Sequence, residues 1–327
     1  MSKANPLSCV VISDGRRGIE NQALGLAEAA GRLKSIEIIR HVIDNNAAFK
    51  AASPTLQFSM KSKPSDYGLN DPAPDIAIGC GRQAIAPLLA FKKHNPNTFT
   101  VYVQDPRLDA ARFDLVIAPE HDALKGSNVE TMIGSPNRVT KTEIVGQTLS
   151  FAGELSKLPM PRAALLIGGT SKTHKLGKPQ HDAHMKAARD LLSKGYSLLI
   201  TTSRRTPDWA IKDYKLLESD HDTVWNYTPD NPNPYFAFLG GADFILVTED
   251  STNMLTEAAS TGKPVFTLPM QGKPGKFARL YAKLEERCNI RPYDGDLKAQ
   301  PYEPLEETER MARQLWAHYE ARMAVIN

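Results

Sequence analysis

The chain has 327 residues, more than one hydrophobic core usually supports, so its length favours two domains of about 150 residues each. Its 41% hydrophobic and 24% charged residues exclude a disordered or fibrous chain, and a net charge of +3, from 40 basic and 37 acidic residues, excludes the basic footprint of a nucleic-acid-binding protein. Three widely spaced cysteines without a CxxC pair exclude a disulfide framework and a zinc site, which indicates a reducing compartment.

The N-terminal segment, Met1 to Pro6, lacks both the long apolar stretch of an export signal and the composition of a transit peptide. The longest apolar runs of the chain are strand-sized, far below the roughly 20 residues that a membrane span needs. We therefore expect a cytoplasmic protein for which any contact with a membrane surface is peripheral.

The first half of the sequence alternates short apolar runs with helical or irregular segments. The predicted strands are Leu7–Ile12, Ile36–Ile39, Ile76–Ile78, Phe99–Val103 and Leu115–Ala118. Apolar residues recur at helical spacing from Ile19 to Leu33, and such alternation favours a parallel sheet covered on both faces. Residues 46–74, rich in Ser, Lys, Asn and Pro, predict a long surface loop.

The pattern restarts in the second half. The predicted strands there are Ala163–Ile167, Leu198–Thr202, Phe244–Val247 and Val265–Leu268. Between the halves, residues 157–162 carry two prolines and predict a linker near residue 160. We therefore predict an α/β protein with two doubly wound Rossmann-like domains, 1–160 and 161–305, facing across a cleft, which is the glycosyltransferase-B type of fold. A last helix, 306–327, is predicted to pack across the domain junction.

Polar residues that directly follow the strands of the second half should share one crevice, because parallel sheets bind ligands beyond the carboxyl ends of their strands. The candidates for binding a diphosphate are Gly168, Gly169, Thr170, Ser171, Lys172, Ser203, Arg204 and Arg205. The glycines let the backbone approach an anion, and the arginines can clamp phosphate bidentately. The alternatives are a structural turn for the glycine loop and a surface salt bridge for the arginine pair.

A third polar segment leads from a predicted strand into a helix. Its candidate ligands are Asp250, Ser251, Thr252, Asn253 and Glu257. Asp250 or Ser251 is expected to cap the helix, whose first-turn amides suit a diphosphate. Glu257 lies about two turns further along the same helix face, where a carboxylate can accept the protons of two ribose hydroxyls. The alternative is that Asp250 only caps the helix and Glu257 is a solvated helix residue.

Strand ends of the first half gather carboxylates that could supply a general base. Asp14 is the first choice as base or acceptor-binding group, with Asp105, Glu120 and Asp122 as rivals. The residues expected to bind the acceptor or line the cleft are Arg16, Arg17, Gln22, Gln104, Arg107 and His121. Taken singly, each of these residues has the alternative of a helix cap or a hydrogen-bonded loop residue.

No metal ion or cofactor is predicted. Residues 294–296 read Asp-Gly-Asp, like the metal-binding DxD of another fold, but their place in a polar stretch favours a turn. His181 and His184 lie three residues apart on a predicted helix without an evident third ligand. The absence of GxSxG and GxGxxG also argues against a serine hydrolase and a dehydrogenase.

Five segments, in this order along the chain, resemble the bacterial branch of the mitochondrial-fission "elongated mitochondria" family: SDGRRGIENQALGLAEA, QDPR, FDLVIAPEHD, TTSRRTP and VTEDSTNMLTEAASTGKPV. The resemblance spans most of the chain and implies a glycosyltransferase-like protein. The plant members of that family are described as peripheral outer-mitochondrial proteins that help to recruit a dynamin-related fission protein.

The stretch DSTNMLTEAASTGKPV is also similar to the donor site of the glycosyltransferase that makes lipid II, and Glu257 falls at the ribose-binding glutamate of that enzyme. The loop 168–171 resembles its glycine-glycine-serine diphosphate loop. The first half departs from that enzyme, because DGRRG stands where it has a glycine-rich loop ending in histidine. Neither its catalytic histidine nor its acceptor can therefore be carried over.

These resemblances imply a metal-independent, inverting transferase that moves a sugar from a nucleotide-diphosphate sugar to an acceptor hydroxyl. Residues 1–160 would then bind the acceptor, a lipid-linked molecule or a glycan, and residues 161–305 would bind the donor. The alternative is a non-catalytic binding or scaffold protein of the same family that keeps the fold. No nucleic-acid partner is expected.

Overall fold

The computed structural model describes residues 6–70, 72–229 and 231–326, and the chain divides into two compact units. The first unit comprises residues 1–138 and 306–327, and the second comprises residues 139–305. Each unit is built on a six-stranded parallel sheet with helices between the strands, which confirms the two predicted Rossmann-like domains. The first five residues, on which the expectation about an export signal depends, lie outside the described residues.

The sheet of the first unit has the strand order β2-β1-β3-β4-β5-β6, with every neighbouring pair parallel. Its strands are β1 (Leu7–Ser13), β2 (Ile36–Val42), β3 (Ile76–Cys80), β4 (Phe99–Val103), β5 (Leu115–Pro119) and β6 (Val129–Met132). Its helices before residue 138 are α1 (Arg17–Leu33), α2 (Ala47–Ala51), α3 (Pro54–Met60) and α4 (Ile85–His94).

The central strands β1, β3, β4 and β5 are buried on both faces for most of their length, which explains why they are continuous apolar runs. In β1, Cys9 and Val11 belong to the core cluster that includes residues of α1. Val10 and Ile12 point to the opposite face and belong to the cluster that includes residues of α4. The alternation of side chains along a strand thus places helices on both sides of the sheet.

The sheet of the second unit has the strand order β10-β9-β7-β11-β12-β14, again parallel throughout. Its strands are β7 (Arg162–Ile167), β9 (Ser197–Thr202), β10 (Val224–Asn226), β11 (Phe244–Thr248), β12 (Val265–Leu268) and β14 (Arg291–Pro292), and β8 (His174–Lys175) and β13 (Gln271–Gly272) form a separate antiparallel ribbon. Its helices are α5 (Lys141–Ser150), α6 (Ala152–Leu155), α7 (Lys178–Ser193), α8 (Asp208–Asp220), α9 (Tyr235–Gly241), α10 (Thr252–Ala259) and α11 (Phe277–Cys288).

The division between the units falls at residue 138, whereas the proline-rich segment predicted it near residue 160. The reason is that α5 packs closely on α9, where Gly240 lies against Ile144 and Thr148, so the chain already belongs to the second unit there. The C-terminal helix, α12 (Glu307–Ile326), returns to the first unit and packs on α1. There the indole Nε1 of Trp316 donates to the carbonyl oxygen of Ala30 at 3.1 Å.

Residues 46–74 are not simply the predicted surface loop, because α2 and α3 lie within them. Asn46 and Ser53 cap these helices by accepting hydrogen bonds from the amides of Phe49 (2.8 Å) and Leu56 (3.3 Å). Phe49 and Tyr67 are buried against the first unit. The two helices are too short to show periodicity in the sequence. Among the described residues, no helix is both long and apolar enough to cross a membrane.

Candidate functional site

Asp250, two residues after the end of β11, has a fully buried carboxylate that joins three loops of the second unit. Its Oδ1 accepts a hydrogen bond from Thr248 Oγ1 at 2.7 Å, and its Oδ2 accepts one from the amide of Gly169 at 3.0 Å. Its Oδ2 also lies 2.8 Å from Nη2 of Arg205. The loops after β7, β9 and β11 therefore meet at one carboxylate. The sequence analysis had identified them as three separate candidate segments.

The amides of the glycine loop already have partners within the protein. Those of Gly168, Gly169, Thr170 and Ser171 donate to Thr248 Oγ1 (2.7 Å), Asp250 Oδ2 (3.0 Å), the Arg205 carbonyl (3.3 Å) and the His174 carbonyl (2.8 Å), respectively. The carbonyl of Gly168 accepts from Thr206 Oγ1 at 2.5 Å. An anion at this loop would therefore be held by exposed side chains such as Thr170 and Lys172 rather than by these four amides.

Glycine is required at both positions because of this close packing. A Cβ at residue 168 would overlap the carboxylate of Asp250, and a Cβ at residue 169 would overlap the backbone carbonyl of Arg205. Overlap with backbone atoms cannot be relieved by a side-chain rotation. The two glycines thus bring the loop after β7 into direct contact with the loops after β9 and β11.

α10 begins at this junction. Ser251 occupies its N-cap position, although the Ser251 side chain makes no capping hydrogen bond. The contacts of Asp250 with two other loops exceed what a helix cap alone needs, so the interpretation of Asp250 as a mere cap is too narrow. The first turn, from Thr252, carries the partial positive charge of a helix N-terminus.

Glu257 lies further along α10 and is 9% exposed, so its interpretation as a solvated helix residue is wrong. Its Oε2 accepts a hydrogen bond from the hydroxyl of Tyr235 at 2.5 Å. Burial raises the pKa of Glu257 to about 7, although the hydrogen bond from Tyr235 acts in the opposite direction. Burial and the neighbouring carboxylate also raise the pKa of Tyr235 above its ordinary value.

Sequence reasoning missed several side chains that organise this region. Thr206 and Thr248 stand inside the selected segments TTSRRTP and VTEDST, so their positions after the strands were a usable signal. Tyr235 contacts Glu257 from 22 residues away, and no local pattern indicates that. The hydroxyl of Tyr281, on α11, donates to the carbonyl of Glu249 at 2.7 Å and so supports the chain just before Asp250.

In the first unit, Asp14 and Arg16 form an ion pair after β1. Arg16 Nη2 lies 2.6 Å from Asp14 Oδ2, and the Arg16 amide donates to Asp14 Oδ1 at 3.2 Å. Burial would raise the pKa of Asp14, but the hydrogen bonds and charge of Arg16 outweigh it and hold that pKa below its usual value. A lower pKa makes a weaker base, so this ion pair argues against Asp14 as the first choice of general base. Arg17, the first residue of α1, is exposed.

The structure brings Gln22 and Gln104 together, with Gln104 Nε2 donating to Gln22 Oε1 at 3.1 Å. Gln104 and Arg107, after β4, have φ angles of 96° and 53°, a left-handed conformation that is costly for residues with a side chain. Asp105 Oδ1 accepts from the Arg107 amide at 2.8 Å and stabilises this turn. Such backbone strain often marks a functional site, which agrees with the prediction of site residues in the segment 104–107.

Glu120, His121 and Asp122 form a single 3-10 turn after β5. His121 is buried, and its Nε2 lies 3.8 Å from Asp122 Oδ1. Glu120 is exposed. Two of the three rival carboxylates therefore lie in one turn, whereas Asp105 follows a different strand.

The residues that the sequence analysis rejected as metal ligands, His181, His184 and Asp294, have hydrogen-bond partners within the protein. Nε2 of His181 lies 2.8 Å from Asp213 Oδ2, and Nε2 of His184 donates to the carbonyl of Pro269 at 2.8 Å. Asp294 Oδ1 accepts from the Asp296 amide at 3.0 Å around a left-handed glycine, which confirms the predicted turn.

Comparison with known protein families shows that the family model described as "Mitochondrial fission ELM1" matches residues 17–319. Mitochondrial fission protein ELM1 of Arabidopsis thaliana is 26% identical over 276 residues, which cover 76% of this chain and 65% of the plant protein. The chain thus spans about two thirds of the length of that relative. Uncharacterized protein RP120 of Rickettsia prowazekii is 25% identical over 349 residues, covering 92% of this chain and 96% of that protein.

Solved structures with similar folds include a Neisseria meningitidis UDP-GlcNAc 2-epimerase bound to UDP-GlcNAc (TM-score 0.55, 12% identity, 97% of this chain and 93% of that one). A Polygonum tinctorium UDP-glucosyltransferase has a TM-score of 0.51 at 12% identity over 100% of this chain and 96% of its own. Acinetobacter baumannii MurG has a TM-score of 0.50 at 14% identity, and the match covers 98% of this chain and 94% of MurG. At these identities the likeness concerns the fold alone, and it confirms the glycosyltransferase-B type.

Proposed function

This chain belongs to the mitochondrial fission ELM1 family, and we propose that its second unit binds a nucleotide-diphosphate sugar. The observation that carries this proposal is the buried carboxylate of Glu257 on the helix that begins at the Asp250 junction. The junction lies at the carboxyl ends of β7, β9 and β11, where open α/β sheets bind ligands. Glu257 lies five residues beyond Thr252, the first residue of α10, which is roughly 7.5 Å further along the helix axis.

The diphosphate and the ribose of the nucleotide each have a matching group. The positive end of α10, at Thr252 and Asn253, attracts the diphosphate. The exposed cations of Lys172 and Arg204 add to that attraction. The carboxylate of Glu257 accepts the protons of the ribose hydroxyls. Fold neighbours of this chain include proteins whose structures contain UDP-GlcNAc or whose names specify UDP-sugars, which supports a sugar nucleotide as ligand.

The proposed reaction is a single displacement without a metal ion. The acceptor hydroxyl oxygen attacks the anomeric carbon, the bond from that carbon to the diphosphate oxygen breaks, and a carboxylate takes the hydroxyl proton. Attack opposite the leaving group inverts the anomeric configuration. Lys172, Arg204 and the α10 terminus stabilise the charge that develops on the departing diphosphate. The ion pair with Arg16 makes Asp14 a weaker base, so Asp105, Glu120 and Asp122 remain the candidates for the carboxylate that takes this proton.

A scaffold without turnover is the second candidate function, and the name of the plant relative favours it. In that case the fold, and nucleotide affinity with it, would be retained while no sugar is transferred. Binding and consumption of the nucleotide sugar therefore have to be measured separately.

The experiment is calorimetric titration with a panel of UDP-, GDP-, ADP- and CMP-sugars. Wild type is compared with Glu257→Gln, which keeps an acceptor for Tyr235, and with Glu285→Gln, a neutralised carboxylate on the exposed face of α11. We expect one nucleotide to bind wild type and Glu285→Gln equally and Glu257→Gln at least about tenfold more weakly, because hydrogen bonds to a charged group are lost.

Nucleotide release in the presence of lipid-linked and glycan acceptors then separates the two functions. Release that depends on the acceptor supports transfer, whereas a nucleotide sugar that binds and is never consumed supports the scaffold. If no nucleotide sugar binds, the proposal of a donor site fails.

A further inference from the structure

The first unit contains a cavity of about 420 Å³, lined by Asp14, Arg16, Lys50, Arg82 and Gln83. This volume lies within the range of small-molecule sites, roughly 300–1,000 Å³. Three lining residues are cationic and one is a carboxylate, so the lining carries a net charge of +2. Its residues follow β1 and β3 or belong to α2, which places it at the carboxyl ends of the central strands of the sheet.

The wall that carries Lys50 is tied to the loop after β3. The guanidinium of Arg82 donates to the backbone carbonyl of Lys50, and Gln83 Nε2 donates to the same oxygen at 3.3 Å. From the other side, the fully buried Gln57 donates to the carbonyl of Phe49 at 2.8 Å. These contacts use the backbone of α2, so the ammonium group of Lys50 is left for a ligand while its helix is fixed.

Asp14 and Arg16, the other two charged residues of the lining, keep their charges near neutral pH. Their ion pair lowers the pKa of Asp14 and raises that of Arg16, so both stay ionised. Asp14 is thereby neutralised within the lining by Arg16. The excess positive charge comes from Lys50 and Arg82, on opposite sides of the hydrogen bond that joins α2 to the loop after β3.

We propose that this cavity binds a phosphoryl or pyrophosphoryl group, and that the group belongs to the acceptor. A dianion matches the excess charge of +2 and is attracted by it, whereas the hydroxyls of a neutral glycan gain no such attraction. Guanidinium and ammonium groups are also the side chains that bind phosphate most strongly. The acceptor role rests on the proposed function, but the binding of the anion does not.

The test is calorimetric titration of the full chain with inorganic pyrophosphate. Wild type is compared with Lys50→Gln, Arg82→Gln and Arg112→Gln, the last being an exposed arginine of the same unit outside the cavity. We expect about tenfold weaker binding in each cavity variant and no change in the control, because one charge-assisted hydrogen bond is lost. Lys50→Gln leaves the backbone contacts of α2 intact, so its effect cannot come from unfolding of that helix. Equal affinities in all four proteins would overturn the proposal.

Two further ligands distinguish the sources of the phosphate. One is glucose 1-phosphate, and the other is phosphatidylcholine vesicles with or without a polyprenyl phosphate. Binding of the sugar phosphate that Lys50→Gln weakens identifies a soluble acceptor, and binding to the doped vesicles that the same variant weakens identifies a lipid-linked one. Binding of neither, or binding that Lys50→Gln leaves unchanged, contradicts an acceptor phosphate.

Titration of the same variants with the nucleotide-sugar panel keeps the two proposals apart. If Lys50→Gln binds a nucleotide sugar as tightly as wild type does but binds pyrophosphate more weakly, both the proposed donor site and the anion site are supported. If pyrophosphate binding depends on Lys50 but no nucleotide sugar binds, only the proposed function fails. If a donor binds but pyrophosphate binding is the same in every variant, only this inference fails.

Discussion

Replacing Asp250 with alanine should destabilise the second unit far more than replacing its ionic partner. Asp250→Ala removes the acceptor for Thr248 Oγ1 and for the buried amide of Gly169. Arg205→Gln removes only a cation whose side chain is 36% exposed. The first substitution leaves a backbone donor unpaired in the interior, whereas the second leaves the carboxylate with two hydrogen bonds.

The expected magnitudes follow from these contacts. Two hydrogen bonds to a charged acceptor contribute about 1.5–3 kcal/mol each, so Asp250→Ala should lower the free energy of unfolding by about 3–6 kcal/mol. The ion pair with Arg205 is partly solvated, so water weakens the attraction between the two charges and can take the place of the lost guanidinium. Arg205→Gln should therefore cost only about 1 kcal/mol.

Urea unfolding followed by tryptophan fluorescence measures both effects. Of the three tryptophans, Trp316 lies in the first unit, and Trp209 and Trp225 lie in the second. A Trp316→Phe background therefore makes fluorescence report the second unit alone. If Asp250→Ala and Arg205→Gln lower the free energy of unfolding equally, the hydrogen bonds from Thr248 and Gly169 to Asp250 do not hold the loops together, and this account is refuted.

Further predictions concern both units. Gly169→Ala should lower the free energy of unfolding by about 1–3 kcal/mol in the same assay, because its Cβ would overlap the Arg205 backbone; an unchanged midpoint would contradict that packing. The pKa of Glu257 is about 7 in the folded chain against 4.5 in the unfolded chain, so the folded state holds the proton longer and the free energy of unfolding should fall as pH rises from 4.5 to 7. The fall should be on the order of 3 kcal/mol and should be absent from Glu257→Gln in urea titrations at several pH values. Ribose hydroxyls favour the ionised carboxylate, so nucleotide affinity measured by calorimetry should rise through pH 7, and a flat profile would argue against a ribose contact. Trp316→Ala should destabilise the first unit by about 3–5 kcal/mol in thermal unfolding, through the lost ring and its bond to Ala30, without weakening nucleotide binding.

The central strands could be predicted from the sequence because they are buried on both faces. Val265–Leu268 was predicted with the bounds that β12 has, and Leu198–Thr202 differs from β9 by one residue. The strands β6, β10 and β14, at sheet edges, were missed. β6 reads VETM and is only partly buried, so it lacks the continuous apolar run by which a parallel strand is recognised.

The candidate site was predictable in its segments but not in its contacts. Position after a strand was enough to select Gly169, Arg205 and Asp250, since parallel topology brings such residues to one edge. That the glycine-loop amides already have protein partners depends on long-range hydrogen bonds to Asp250 and Thr248. The same is true of Glu257, whose burial depends on packing against a residue of a different helix.

A crystal structure of the chain with the nucleotide selected by the calorimetric panel tests the donor site most directly. We predict the ribose hydroxyls on the carboxylate of Glu257 and the diphosphate at the start of α10, within hydrogen-bond distance of Lys172 or Arg204. A nucleotide bound elsewhere, or one whose ribose does not reach Glu257, would contradict the proposed function.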